Sequence, residues 1–174
     1  MAEIIRYAQG DSALGTIIAA ASERGLALVA FVDGQEGLLE GLRARFPEAD
    51  LVEDAAALQE TLVRLARLIE QPDARLDLPL DLRGSEFERR VWNALREIPP
   101  GQTVSYGDIA ARIGSPREAR AVAEACAANM LAVVVPCHRV VKKDGRISGY
   151  RWGFKRKRAL IAREQRATLL RLAG

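Results

Sequence analysis

The sequence holds one histidine, and it follows directly on one of only two cysteines, in the segment Val133-Val134-Val135-Pro136-Cys137-His138-Arg139-Val140-Val141. A cysteine acts as a nucleophile in its thiolate form, and a neighbouring imidazole is a base able to take the thiol proton. Three β-branched residues in a row read as a short buried strand, and Pro136 ends it because proline supplies no N–H to a ladder. Cys137 and His138 are therefore expected where a rigid core strand stops and the chain turns, a place suited to holding reactive groups. Taken alone, a cysteine beside a histidine is more often a small core thiol next to a surface imidazole. The elements around the pair decide between these readings.

Composition narrows the classes first. With 49% hydrophobic, 28% charged and 5% aromatic residues, the 174-residue chain is an ordinary globular protein with enough length for one good core or two small ones. No apolar run approaches the roughly 18 residues of a membrane span. The start, Met-Ala-Glu-Ile-Ile-Arg, lacks the basic and apolar stretches of a secretion signal. Two cysteines eleven residues apart make a poor disulfide framework, so reduced thiols and a cytoplasmic setting are expected. One histidine and two cysteines do not supply an ordinary zinc site, so no metal and no cofactor are expected. The net charge of +3 conceals a division: residues 1–80 carry 7 Arg and 14 Asp+Glu, hence −7, whereas residues 81–174 carry 19 Lys+Arg and 9 Asp+Glu, hence +10. That asymmetry predicts an acidic scaffold joined to a basic module that faces a polyanion.

The scaffold comes first in the chain. Residues 4–7, 15–21 and 26–32 read as short strands, separated by the turn residues Asp11-Ser12 and Glu23-Arg24-Gly25. Residues 35–46 place Leu38, Leu39, Leu42 and Phe46 at helical spacing up to Pro47, and residues 54–70 form a second amphipathic helix through Leu58, Leu62, Leu65, Leu68 and Ile69. Residues 75–82 alternate leucines with Asp77, Pro79 and Asp81, which predicts a final edge strand. None of this offers a chemical constellation.

The basic module begins near Arg83. Ser85 and Glu88 form a capping box opening a helix over 86–97, with Phe87, Val91, Trp92 and Leu95 inward and Pro99-Pro100-Gly101 after it. Ser105 and Asp108 repeat the arrangement ahead of a helix that Gly114 stops. Ser115, Pro116 and Glu118 then predict the cap, first position and third position of a helix over 116–128. Two short helices around a glycine turn make a helix-turn-helix, whose second helix carries Arg117 and Arg120 among small residues able to lie close to a DNA backbone.

At this point five ordered pieces can be set together: Val104-Ser105-Tyr106-Gly107-Asp108-Ile109-Ala110; Ala119-Arg120-Ala121-Val122; Asn129; Pro136-Cys137-His138-Arg139-Val140; and Ser148-Gly149-Tyr150-Arg151-Trp152-Gly153. In that order and spacing the chain resembles the O6-alkylguanine-DNA alkyltransferase family, with its nearest likeness among the C-terminal halves of Ada-type bacterial proteins. The resemblance implies a mixed α/β (α+β) fold: a small ribonuclease H-like α/β domain over residues 1–82 and a winged-helix-like helix-turn-helix domain over 83–174 that carries the cysteine. It implies a monomeric DNA-repair transferase of bacterial cytoplasm. Its partner is double-stranded DNA bearing O6-alkylguanine, and also O4-alkylthymine, from which it moves the alkyl group irreversibly onto Cys137.

The site residues follow from the same resemblance. His138 is the base and Glu164, in a helical stretch over 155–170, orients it. The Tyr106 hydroxyl donates to guanine N3. Backbone groups around Cys137, Val140 and Arg151 read the base edges, and Asn129 ties the recognition helix to the active-site strand. Arg120 fills the space of a flipped-out nucleotide, and Ser105, Arg117, Tyr150 and Trp152 complete the DNA and base contacts. The bulky Arg151-Trp152 after Tyr150 replaces smaller residues of many relatives and is expected to narrow the pocket in favour of methyl. A cysteine cluster of the kind with which Ada-type proteins repair phosphotriesters is absent from these 174 residues, and Cys126 reads as core packing. Damage recognition without catalysis, a Cys-His hydrolase and a plain transcription regulator are the competing classes. Adjacent side chains diverge in extended chain, so Cys137 and His138 need a turn or a water to exchange a proton.

Overall fold

The computed structural model describes residues 1–74 and 76–174. Strands β1 (Glu3–Gly10), β2 (Thr16–Ser22) and β3 (Gly25–Val32) form an antiparallel meander, and β4 (Ala49–Glu53) joins β1 in parallel, giving the order β3-β2-β1-β4. Alternation sends Ile17, Ala19, Val29 and Phe31 to one face and Ile18, Ala20 and Leu28 to the other. The first face packs on α2 (Ala55–Glu70) and on the C-terminal domain, the second on Leu42 and Phe46 at α1 (Leu38–Arg45). Strand β4 escapes sequence reading because it is a largely exposed edge with no apolar alternation. Asp54, whose carboxylate accepts from Ala57 N at 3.0 Å, caps α2.

The expected edge strand over 75–82 is reduced to a single parallel bridge, Leu26 to Leu80. Arg75 lies outside the described residues. Leu26 N donates to Pro79 O and Asp81 N to Leu26 O, both at 2.9 Å. Pro79 has no N–H, so the ladder cannot extend. The approach is close enough that only glycine fits opposite: a Cβ on Gly25 would lie 2.3 Å from Pro79 O.

In the C-terminal half, α3 (Glu86–Arg96) and α4 (Tyr106–Arg112) both open with the capping boxes expected, Ser85 with Glu88 and Ser105 with Asp108. Trp92 is a core anchor whose indole N–H donates to Ala125 O at 2.8 Å, tying α3 to α5 (Ala119–Ala127). The start of α5 differs from expectation. Ser115 does not cap it; Ser115-Pro116-Arg117-Glu118 closes as a turn, with Glu118 N donating to Ser115 O at 2.9 Å. Proline at the second turn position favours that outcome, and the helix begins three residues later than predicted. Strand β5 (Val104–Ser105) pairs in parallel with β6 (Val140–Val141), and α6 (Phe154–Ala173) closes the domain.

The valine run is a third correction. Residues 133–135 form a turn rather than a strand: Val135 N donates to Leu131 O at 3.0 Å, and Val133 takes the left-handed φ of 69°. The extended piece lies just before, where Val29 N donates to Met130 O and Ala132 N to Val29 O. The N-terminal sheet therefore braces the chain entering the active-site segment. A β-branched residue in left-handed conformation costs on the order of 1–3 kcal/mol, and it persists only where the surroundings hold it. A further brace is Arg156 of α6, stacked 4.9 Å above the Phe31 ring, paired with Asp33 and donating to Leu14 O and Trp152 O.

Candidate active site

Cys137, His138 and Arg139 form one 3-10 turn between Pro136 and β6, and all three are buried. The turn separates the two adjacent side chains. Cys137 Sγ faces Asn129, whose Nδ2 donates to it at 3.3 Å. Asn129 follows α5, is 1% exposed, and its Nδ2 also bonds Val135 O at 2.9 Å and Leu131 O at 3.3 Å, while Leu131 N donates to its Oδ1. One amide thus pins the strained valine turn and the thiol together.

His138 turns the other way, fully buried, with Nε2 2.5 Å from Glu164 Oε1. Burial raises the Glu164 carboxyl, but His138 and Arg139 outweigh it and hold the pKa below the ordinary value. An ionised carboxylate only accepts, so His138 carries its proton on Nε2 and presents Nδ1 as an acceptor. Nδ1 has no protein partner among the described residues. Burial lowers the His138 pKa against the pull of Glu164, leaving a neutral imidazole. Arg139 was not singled out by the sequence reading. Its Nε donates to both Glu164 oxygens at 2.9 Å and its Nη1 to Ile98 O at 2.5 Å, neutralising a carboxylate that would otherwise be a lone buried charge.

The thiol borders a pocket of about 460 Å³, which has room for a nucleobase. Ala123, Cys126 and Ala127 of α5 form one wall, and Tyr106, Gly149, Tyr150 and Arg151 complete the lining. Burial raises the Cys137 pKa; the Asn129 hydrogen bond and the positive charges of Lys157 and Arg151 oppose it. Burial also raises Tyr106, so it is a phenol that donates. Lys157, likewise unanticipated, is 1% exposed, and with Leu160, Ile161 and Glu164 it makes the buried stripe of α6. The signal was available: charged residues at core positions of a helical period.

The remaining expected residues fall into three groups. Arg117 and Arg120 are exposed, in the turn before α5 and in its first turn. The Ser105 hydroxyl is occupied as the α4 cap, and the Val140 side chain is core. Trp152 corrects the expectation of a pocket narrowed by two bulky residues: Arg151 lines the pocket, but Trp152 lies behind Tyr150, edge-on at 5.2 Å, and faces a separate cleft with Phe31 and Asp33. It acts on the pocket only through Tyr150. Among the described residues no group of His, Cys, Asp and Glu could hold a metal, and no helix is long and apolar enough to cross a membrane.

Comparison with known proteins agrees with this geometry over both halves. Residues 5–82 match the ribonuclease-like domain of 6-O-methylguanine DNA methyltransferases, and residues 86–166 match their DNA-binding domain. The chain is 47% identical over 160 residues to the bifunctional transcriptional activator and DNA repair enzyme Ada of Escherichia coli, covering 92% of this chain but 45% of that protein. It is 44% identical over 133 residues to the inducible methylated-DNA–protein-cysteine methyltransferase of Bacillus subtilis, covering 76% of this chain and 74% of that one. The crystal structure of Mycobacterium tuberculosis OGT in complex with DNA superposes with a TM-score of 0.79 at 34% identity and covers 94% of each chain. With a pinned thiol, an oriented imidazole and two matched domains, the chain belongs to the O6-methylguanine-DNA methyltransferase family.

Proposed function

We propose that this protein repairs O6-alkylguanine in double-stranded DNA by transferring the alkyl group to its own Cys137, once and irreversibly. The observation that carries the reading is the Cys137 thiol, held by Asn129 in the lining of a pocket with room for a nucleobase, with the His138–Glu164–Arg139 array behind it.

The outer face of α5, with the exposed Arg120 in its first turn and small residues around it, lies against the minor groove, and the basic half of the chain supplies salt-sensitive phosphate contacts. The target atom is inside the duplex, so the nucleotide is flipped into the pocket at a cost of a few kcal/mol. Arg120 takes its place in the stack. The Cys137 proton passes to His138 Nδ1, through a bridging water, and the imidazolium is stabilised by Glu164. The thiolate attacks the alkyl carbon, the carbon–O6 bond breaks with its electron pair on the base, and Tyr106 donates a proton at N3. The products are S-alkylcysteine and guanine. O4-alkylthymine fits the same pocket chemistry, and a free thiol fits the reducing cytoplasm.

Mass spectrometry after incubation with a duplex containing O6-methylguanine tests the reading. One methyl group on Cys137, at one equivalent and without turnover, is the expected result. Repaired DNA with unmodified Cys137, or repeated turnover as a hydrolase would give, overturns it.

A further inference from the structure

Lys157 carries a charge into the interior without a carboxylate: no ion pair joins it among the described residues, and its contacts are Ser148 Oγ at 2.9 Å and Gly149 O at 3.3 Å. Burying an unpaired ammonium is costly, so its retention calls for a cause. Ser148 Oγ lies 2.5 Å from the Tyr106 hydroxyl, which borders the pocket. The three groups form a continuous chain. An ammonium can only donate, so Ser148 accepts from Lys157. Either hydroxyl can donate in the Ser148–Tyr106 bond, and when the Ser148 hydrogen points to the Tyr106 oxygen the Tyr106 hydrogen is free for the pocket.

We propose that Lys157 is the proton reservoir for the departing guanine, delivering through Ser148 to Tyr106 and from Tyr106 to the base. The inference rests on the alkyl-transfer reading above. As the carbon–O6 bond breaks and its electron pair goes to the base, Tyr106 gives its proton to guanine N3. Ser148 replaces that proton, and Lys157 replaces the one on Ser148. Cys137 thiolate, O6-alkylguanine and Lys157 ammonium become S-alkylcysteine, neutral guanine and Lys157 amine, so charge is conserved. The groups facing Lys157 are the thiols of Cys137 and Cys126 and the imidazole of His138. While Cys137 is a thiolate, its charge holds the ammonium in place. Alkylation removes that charge, and burial then favours the neutral amine, which ties proton release to the transfer itself.

The test separates the leaving group from the nucleophile. Ser148→Ala, Ser148→Thr and Lys157→Met proteins react either with a duplex containing O6-methylguanine or with iodoacetamide, whose iodide leaves without a proton. Ser148→Ala is expected to slow methyl transfer from guanine by about 100-fold, the usual scale of a general acid. Its iodoacetamide reaction at Cys137 stays at the wild-type rate, and Ser148→Thr restores repair. Lys157→Met slows repair at least as much as Ser148→Ala. Full repair by Ser148→Ala, or equal loss in both reactions, overturns the relay. Failure of the wild-type protein to take methyl from guanine instead overturns the functional reading.

Discussion

Glu164 accepts the Nε2 proton of His138 at 2.5 Å with both side chains buried, and so decides which nitrogen of the imidazole remains for the thiol proton. The carboxylate does this at no cost in lone charge because Arg139 grips its other edge. Glu164→Gln removes the charge that favours imidazolium and strands Arg139. Methyl transfer should slow by about 100-fold or more, and the protein should lose about 3 kcal/mol of stability, as when one partner of a buried pair is removed. Single-turnover kinetics and urea unfolding check the two effects separately.

Stability should fall on both sides of neutrality. His138 has a folded pKa below its ordinary 6.5 because of burial, and Glu164 lies below its ordinary 4.5 because His138 and Arg139 outweigh burial. In both windows the unfolded chain binds more protons, so stability is lost as pH falls, first below 6.5 and again below 4.5. Burial raises Cys126 and Cys137 above the ordinary 9.0, so the folded chain binds more protons there and stability is lost as pH rises past that value. Urea midpoints across this range check the shape, and His138→Gln should flatten the limb just below neutrality.

Asn129→Ala deletes a donor to the thiol and second donors to the carbonyls of Val135 and Leu131, and it leaves the buried Leu131 N without its acceptor. At about 1–3 kcal/mol for a stranded buried group, a loss of about 2 kcal/mol is expected, together with release of the left-handed Val133. Cys137 should then react more slowly with DNA while becoming easier to reach with iodoacetamide. Thermal denaturation and thiol labelling measure the pair of effects.

Arg120 is exposed at the start of α5 and bonds to nothing else in the protein among the described residues. Arg120→Ala should therefore fold normally. Repair of a base-paired O6-methylguanine should drop by at least 10-fold if filling the stack supplies about 1.4 kcal/mol or more of the flipping cost. Repair within a single strand should change far less. Comparable losses on both substrates would assign Arg120 to phosphate binding instead.

The side chain behind Tyr150 is expected to influence alkyl size. Trp152 meets Tyr150 edge-on at 5.2 Å, and Arg151 lines the pocket with Nη1 donating to Asn129 O at 3.2 Å. The wild-type protein is expected to prefer O6-methylguanine over O6-benzylguanine. Trp152→Ala should relax Tyr150 and narrow that preference. The ratio of inactivation rates by the two substrates measures it, and an unchanged ratio would show that Arg151 alone sets the size limit.

Local chemistry made much of the C-terminal half legible in sequence. A capping box states its own helix start, so Ser85–Glu88 and Ser105–Asp108 were readable from spacing alone. The ordered motif around Cys137 carried the family resemblance, and the roles of Tyr106, Arg120, Asn129 and Glu164 are what that resemblance implies. What local pattern cannot state is which partner a segment meets. The valines of 133–135 have strand propensity, yet Asn129 supplies the hydrogen bonds that make them a turn. Residues 75–82 alternate like a strand, yet Pro79 and the close approach at Gly25 leave one bridge.

Sequence by itself marked the Cys137–His138 pair as a candidate and gave the helix-turn-helix and the division of charge, because these depend on residue identity and short-range spacing; the roles of nucleophile and base are what the family resemblance implies. Tertiary structure alone decided that His138 faces away from Cys137 toward Glu164, that Arg139 balances the carboxylate, that Trp152 backs the pocket instead of lining it, and that Lys157 reaches Tyr106 through Ser148. The physical reason is the same in each case. A buried polar group must find its partner wherever the fold provides one, and those partners lie 25 or more residues away for His138 and Arg139 and 42 away between Tyr106 and Ser148.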